Sequence, residues 1–238
     1  MTLLTVVKDV CSNVGVLQPS SVFSGITSNR TMQEMLALAN EMAQRISYDL
    51  RDWTQFKALQ VFQGDGVTQK FDLPADFKRL LLTAEVWRST SALRPMMFVP
   101  DLNEWIQRRA LNRFSAWGEW TIVGGQMWLW PVMGVGVSAT FGYMEKNCIT
   151  LSSGGYGDSF LNDGDSFVLD ERVLKLGMIW QWKANKGSPY AEDMGTYGDA
   201  LVNIMGHDSP APIIVGRKPL SQSTTIGVAY PWPVPTLP

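Results

Sequence analysis

Carboxylates are the most concentrated reactive groups in this chain: Asp163, Asp165, Asp170 and Glu171 crowd into one short stretch. Two such groups can divide the acid and base roles of glycoside hydrolysis. Local structure accounts for the same residues without a reaction. Asn162-Asp163-Gly164-Asp165 has the composition of a turn, and Asp170-Glu171 suits the positive end of a helix dipole. A calcium loop requires Asp-x-Asp-x-Asp-Gly spacing and a bidentate glutamate, and this run has neither. His207 is the single histidine, and Cys11 and Cys148, the two cysteines, are far apart. That inventory argues against a conventional zinc site, a Ser-His-Asp triad in the body of the fold and most imidazole catalysis. The expectation is a chain with no catalytic residues, no metal and no cofactor.

Two other residue classes could bind rather than react. Trp105, Trp117, Trp120, Trp128 and Trp130, five of the ten tryptophans, gather in one region and could stack sugars or bases. Met127, Leu129 and Pro131 alternate with Trp128 and Trp130, a pattern that fits a strand covered on both faces, in a core or a subunit contact. Gly124, Gly125, Gly134 and Gly136 form no Gly-x-Gly-x-x-Gly or Walker run and read as hairpin glycines.

The elements that must position these residues follow from period and caps. Leu3, Val6, Val7, Val10, Cys11 and Val14 predict a first helix ended by Gly15. Thr31-Met32-Gln33-Glu34 reads as a capping box opening a second helix, with Met32, Met35, Leu36, Ala39, Met42, Ala43, Ile46, Leu50 and Trp53 on one face. The period then changes to two. Strands are expected at 56–63, 67–73, 79–88, 120–123, 126–131 and 137–145, with Gly64-Asp65-Gly66 and Gly124-Gly125 as hairpin turns and a short helix capped by Asp101. Residues 149–169 read as a surface loop. A helix from Asp170 to about Lys186 follows, then one opened by Ser188-Pro189 and closed by Gly206.

The predicted fold class is therefore α+β: a helical bundle of about four helices with an inserted β-rich domain and an extended C-terminal arm. The divisions are 1–55 and 170–206 for the bundle, 56–148 for the β-rich insertion, 149–169 for the loop and 207–238 for the arm. The last 31 residues hold seven of the 13 prolines and three charged side chains, with apolar residues scattered without either period. Such a segment suits docking on another surface.

Composition bounds the partners. With 20 Lys and Arg against 22 Asp and Glu, a net charge of −2 does not fit a nucleic-acid-coating or anionic-membrane protein. A hydrophobic share of 45% excludes wholesale disorder. The charged opening Lys8-Asp9, the lack of a long apolar run and two reduced thiols predict cytoplasmic folding without a signal peptide or membrane insertion. On the helix from Asp170, Val173, Leu176, Gly177, Trp180 and Ala184 define one apolar sector and Leu174, Met178 and Trp182 another, so the second sector is expected at a subunit interface. Arg172, Lys175, Lys183 and Lys186 form a basic stripe between them, facing a lumen or water.

Several motifs, taken in order, carry a resemblance. These are the Thr2-Leu3-Leu4 opening, Leu36-Ala37-Leu38-Ala39-Asn40-Glu41 leading to Trp53, Leu73-Pro74-Ala75-Asp76-Phe77, the hairpin at Gly124-Gly125-Gln126 and the run from Phe141 to Asn147. Leu176-Gly177, Trp180-Gln181-Trp182-Lys183-Ala184-Asn185-Lys186-Gly187 and Tyr190-Ala191-Glu192-Asp193 complete the set. Over residues 2–205 the chain resembles the head-to-tail adaptor, or connector, proteins of short-tailed bacteriophages, those with a tail tubular protein beneath the portal.

The resemblance implies a structural virion protein, not an enzyme, assembled in the host bacterial cytoplasm as a ring expected to be dodecameric. The ring would sit at the head-tail junction between portal and tail nozzle, completing the head and lining the DNA exit channel. Implied partners are other copies of the chain, the portal protein, the tail nozzle or tail tube protein, tail fibres, and genomic DNA passing without sequence specificity. In this reading Ile213, Ile214, Val215, Tyr230 and Trp232 of the arm bind the portal, and Arg172, Lys175, Lys183 and Lys186 face the channel. A virion-associated cell-wall glycosidase and a carbohydrate-binding module are the alternatives.

Overall fold

The computed structural model describes residues 1–24, 26, 29–90 and 93–208. In chain order its elements are α1 (Leu3–Val14), α2 (Arg30–Gln44), β1 (Lys57–Gln63), β2 (Lys70–Asp72), β3 (Phe77–Leu80), β4 (Trp87–Arg88), β5 (Met97–Phe98), α3 (Leu102–Ala110), β6 (Glu119–Val123), β7 (Gln126–Trp130) and β8 (Ser138–Glu145). β9 (Ile149–Thr150), β10 (Tyr156–Gly157), β11 (Ser166–Phe167), α4 (Glu171–Asn185) and α5 (Ala191–Asp208) follow. The fold is mixed α+β, with five α-helices and three sheets among the described residues. The arm positions Ile213, Ile214, Val215, Tyr230 and Trp232 lie outside them.

One apolar core is built from α1, α2, α4 and α5. α1 buries Leu3, Val6, Val7, Val10 and Cys11 and stops at Gly15, whose φ of 72° is the left-handed cap expected of glycine. α2 starts earlier than its predicted capping box. Asn29 is the N-cap, accepting from the backbone N–H of Thr31 and Met32, which leaves Glu34 free to pair with Arg30 at 2.9 Å and Lys186 at 2.6 Å. Nor does α2 run straight to Trp53. A π-helical turn, Arg45–Asp49, widens the helix so that Ile46, Ser47 and Tyr48 are buried in succession while Leu50 turns outward. Trp53 then folds back, its buried indole donating from Nε1 to the Ile46 carbonyl at 2.8 Å.

α4 lies against α1, α2 and α5. Gly177 lets them approach: a Cβ there would stand 2.6 Å from Met42 Cε and 3.2 Å from the Tyr197 ring. α5 runs past Gly206 to Asp208 instead of closing at the glycine. Its last turn is held from outside, because Asp208 pairs with Arg51 at 3.3 Å and accepts from the Thr54 backbone N–H and hydroxyl.

The second core lies between two sheets. β8 is the hub of one, paired antiparallel with β1 on one side and with β3 and β4 on the other; the other sheet has the order β2-β7-β6-β5. Phe62, Ala139, Phe141 and Tyr143 from the first meet Trp120, Met127 and Leu129 from the second. The Gly124-Gly125 hairpin is present, with φ of 59° and 79° and Val123 opposite Gln126. The hairpin expected at Gly64-Asp65-Gly66 is not, since β1 and β2 belong to different sheets. Gly64 is pressed onto the 133–134 backbone, and its N–H donates to the Val137 carbonyl at 2.8 Å. The turn glycines there serve close contact with a distant segment.

The segment 149–169 is more than the expected surface loop. It forms the sheet β10-β9-β11 and sends Ile149, Phe160 and Phe167 into the helical core, where burial of three large apolar side chains outweighs exposure.

Candidate interaction surface

The acidic cluster is architectural. Asp165 is fully buried and accepts four hydrogen bonds: from the backbone N–H of Ser152 (2.8 Å), Leu161 (2.7 Å) and Asn162 (2.7 Å), and from the Ser152 hydroxyl (2.9 Å). Burial alone would raise its pKa, but these donors together outweigh burial and hold the carboxyl below its ordinary value. The backbone carbonyls of Asp165 and Asp163 accept from the N–H groups of Leu3 and Leu4 at 2.7 and 3.1 Å. Thr2 makes no side-chain cap, so this loop satisfies the start of α1 from across the chain. The Asp163 carboxylate accepts from Val22 N–H at 2.8 Å, Asp170 caps α4, and Glu171 pairs with the terminal ammonium at 3.0 Å. Each carboxylate of the proposed acid-base pairs thus holds a piece of backbone or a terminus in place.

Four of the five clustered tryptophans are likewise occupied, and Trp117 is half-buried. Trp105 and Trp120 are buried. Trp128 and Trp130 share the face of β7 opposite Met127 and Leu129, and cations cover both: Lys70 Nζ stands 4.3 Å from the Trp128 ring and the Arg109 guanidinium 5.0 Å from that of Trp130. Under α3, the buried Glu119 carboxylate accepts from Arg108 at 2.8 Å and from Ser115 N–H at 2.9 Å.

Both apolar sectors of α4 find partners inside the chain. Leu174 and Met178 are wholly buried and Trp182 is 7% exposed, all in the helical core, where they pack within the chain. Trp180, from the other sector, lies against the rings of Tyr190 and Tyr197. The basic stripe is largely spent as well. Lys175 pairs with Asp9 (3.3 Å), Lys183 with Asp193 (2.6 Å) and Lys186 with Glu34, and Lys186 also sits over the Trp182 ring. Arg172 is exposed and makes no ion pair among the described residues. A helical wheel identifies the sectors of α4; it does not show that three helices surround it.

Cavities among the described residues are modest. A groove of about 600 Å³ between α2 and α4 has Ala37, Leu38 and Trp182 in its lining and Arg30, Glu34, Glu41, Arg45 and Lys186 as charged groups, which pair with one another. A second, of about 340 Å³, is lined by Trp53, Thr54, Leu169, Asp170, His207 and Asp208. No cluster of three or more His, Cys, Asp or Glu side chains is placed to hold a metal among the described residues. No described helix is long and apolar enough to cross a membrane.

Apolar surface stays open on α5, at Met194 and Val202, and on the β-rich part. Along α3, Leu102 and Ile106 lie one turn apart and exposed, with Leu111 beyond them and Phe98 just before. On the hub sheet, Leu59 and Val61 of β1 and Trp87 of β4 point outward. Sequence reading missed both surfaces of the β-rich part, although Leu102, Ile106 and Leu111 on a helix this short and charged were a signal that its outer side is not wholly polar. No protein-family model matches the chain, and no curated protein matches it.

Proposed function

We propose that the protein is a structural component of a bacteriophage particle: a head-to-tail adaptor whose copies form a ring between portal and tail nozzle and line the channel through which DNA leaves. The observation that carries this reading is the order of parts, two helices, then β1 to β8 with α3 among them, then α4 and α5, with the motifs of the resemblance at the joints. Leu73-Pro74-Ala75-Asp76-Phe77 is one joint. Phe77 N–H donates to the Pro74 carbonyl, Lys146 N–H to the Asp76 carbonyl at 2.8 Å, and the Tyr143 hydroxyl to the Asp76 carboxylate at 3.1 Å, tying β3 to the end of β8. In this reading α1, α2, α4 and α5 are the bundle, β1 to β8 with α3 the insertion, and the residues after 208 an arm.

The near-balanced charge suits such a channel, since each added phosphate contact would hold DNA back. The exposed strip of α3, where Ile106 is 56% exposed, is the surface this reading assigns to contact between copies. Head-to-tail contact of that strip with a different patch on the next copy closes into a ring when the rotation between copies closes. Negative-stain microscopy of the protein alone and mixed with portal rings tests the reading: a coaxial second ring is the expected result, and its absence at saturating protein would sink the proposal. Ile106→Glu is expected to leave a folded monomer that does not form rings.

A further inference from the structure

α5 turns to solvent a side that the helical core does not use. Ala200, with Tyr197, Leu201 and Ile204, faces that core, whereas Val202 stands on the other side at 66% exposure and Met194 flanks it at 50%. Gly195 and Gly198, seven and four positions before Val202, share its side. A Cβ at either glycine would meet nothing within 4 Å, so packing inside the chain does not call for glycine there. Glycine within a helix is destabilising relative to alanine. What the pair provides is a low surface beside an exposed valine, open to close approach from outside.

Charge gives that side a preferred partner. α5 carries Glu192, Asp193, Asp199 and Asp208 and neither lysine nor arginine. Lys183 holds Asp193 and Arg51 holds Asp208, which leaves Glu192 and Asp199 exposed and without an ion pair among the described residues. The α3 strip has the opposite balance. Its carboxylates are committed, Asp101 to capping the helix and Glu104 to Arg108, which also pairs with Glu119. Arg109, against the Trp130 ring and Gln69, and Arg113, exposed beyond Leu111, have no carboxylate partner among the described residues. Two free carboxylates border an apolar helix side, and two free guanidinium groups border another at Leu102, Ile106 and Leu111.

We propose that the outward side of α5 in one copy docks on the α3 strip of the next, Val202 and Met194 meeting Ile106 and Leu102 while Glu192 and Asp199 meet Arg109 and Arg113. The proposal rests on the adaptor reading for the assignment of α3 to contact between copies, and it names the patch that meets α3. Charge makes the contact heterologous. Joining α5 to α5 would set Glu192 and Asp199 against their own copies, and joining α3 to α3 would oppose arginines, so like sides repel and unlike sides attract. Each copy then keeps one side free for a further neighbour, as a ring requires.

Full-length Ile106→Cys and Val202→Cys proteins, oxidised mildly alone and as a mixture, with and without portal rings, test the pairing. Cys11 and Cys148 are buried and do not compete. Disulfide-linked dimers are expected from the mixture and from neither variant alone, and the double variant is expected to give a ladder of longer oligomers. Gly198→Leu, whose side chain enters open space in the single chain, is expected to keep the thermal midpoint and weaken association about tenfold or more. Asp199→Arg is expected to weaken association as well, and Arg113→Asp added to it to restore association. Dimers from Val202→Cys alone would show α5 meeting α5 and overturn the proposal. Rings assembled on the portal by Gly198→Leu and Asp199→Arg as readily as by the parent would overturn it too, while leaving the adaptor reading in place. The disulfide ladder without a ring on the portal would uphold the contact and defeat the adaptor reading.

Discussion

Asp165 divides its work between two groups: its carboxylate holds the 161–165 turn and tethers Ser152, while its backbone carbonyl caps α1. Its pKa is lower in the folded than in the unfolded chain, where the ordinary value is 3.8, so the folded state binds fewer protons as pH falls through that range. The stability it contributes is present in full above about pH 5 and is lost as pH drops through the folded value. Asp165→Ala is expected to cost about 3 kcal/mol or more, since it strands buried donors of Ser152, Leu161 and Asn162. Urea titrations at pH 7 would read the loss, and the same titrations toward pH 3 should show a shallower acid decline in the variant. Trp182→Glu belongs at this scale too. With Trp182 in the core, the substitution is expected to unfold the monomer by placing a charge among Met and Leu side chains; a folded Trp182→Glu monomer by circular dichroism would contradict the packing. The sequence marked Asp163, Asp165, Asp170 and Glu171 as a group and identified Asp170-Glu171 as a helix start. It could not show that the 161–165 loop caps α1, because that contact joins residues about 160 positions apart.

Several element ends were legible where local chemistry decides them. Gly15 ends α1, Asp101 and Asp170 cap their helices, and Gly124-Gly125 turns β6 into β7, each a choice made within a few residues. Gly64-Asp65-Gly66 has equally good turn composition and does not join neighbours, because the identity of a strand's partner is a non-local matter. Gly64→Ala separates the two roles. A hairpin glycine at an ordinary φ would tolerate alanine, whereas here the new methyl would fall 2.5 Å from the Gly134 carbonyl oxygen, a backbone atom that cannot easily move. A loss of about 1–3 kcal/mol is expected in denaturant melts. Five residues of π-helical turn are a further departure that a period of 3.6 cannot announce: the wheel of α2 kept Leu50 inside, and the turn puts it out.

At the scale of the molecule, two cores share one strand. Phe141 and Tyr143 of β8 belong to the sheet core and Met144 to the helical core, so neither can lose order without disturbing the other's boundary. Met42→Ala in the helices and Phe141→Ala between the sheets are expected to lower the same single transition, each by about 2–5 kcal/mol. Coincident far-ultraviolet and tryptophan-fluorescence melts would check this, and two separated transitions would show independent cores. Membership of the two cores was only faintly legible in the sequence: Ser138 to Tyr143 alternates, and the break at Tyr143-Met144 marks a change of environment without saying which core lies on the new side.

That shared strand also has a mechanical meaning. β8 is flanked by antiparallel neighbours on both sides, and their hydrogen bonds run across its axis. A pull applied lengthwise would load those bonds side by side in shear, while a pull applied across the sheet would open them one after another like a zip. The hub sheet should therefore be stiff along β8 and compliant across it.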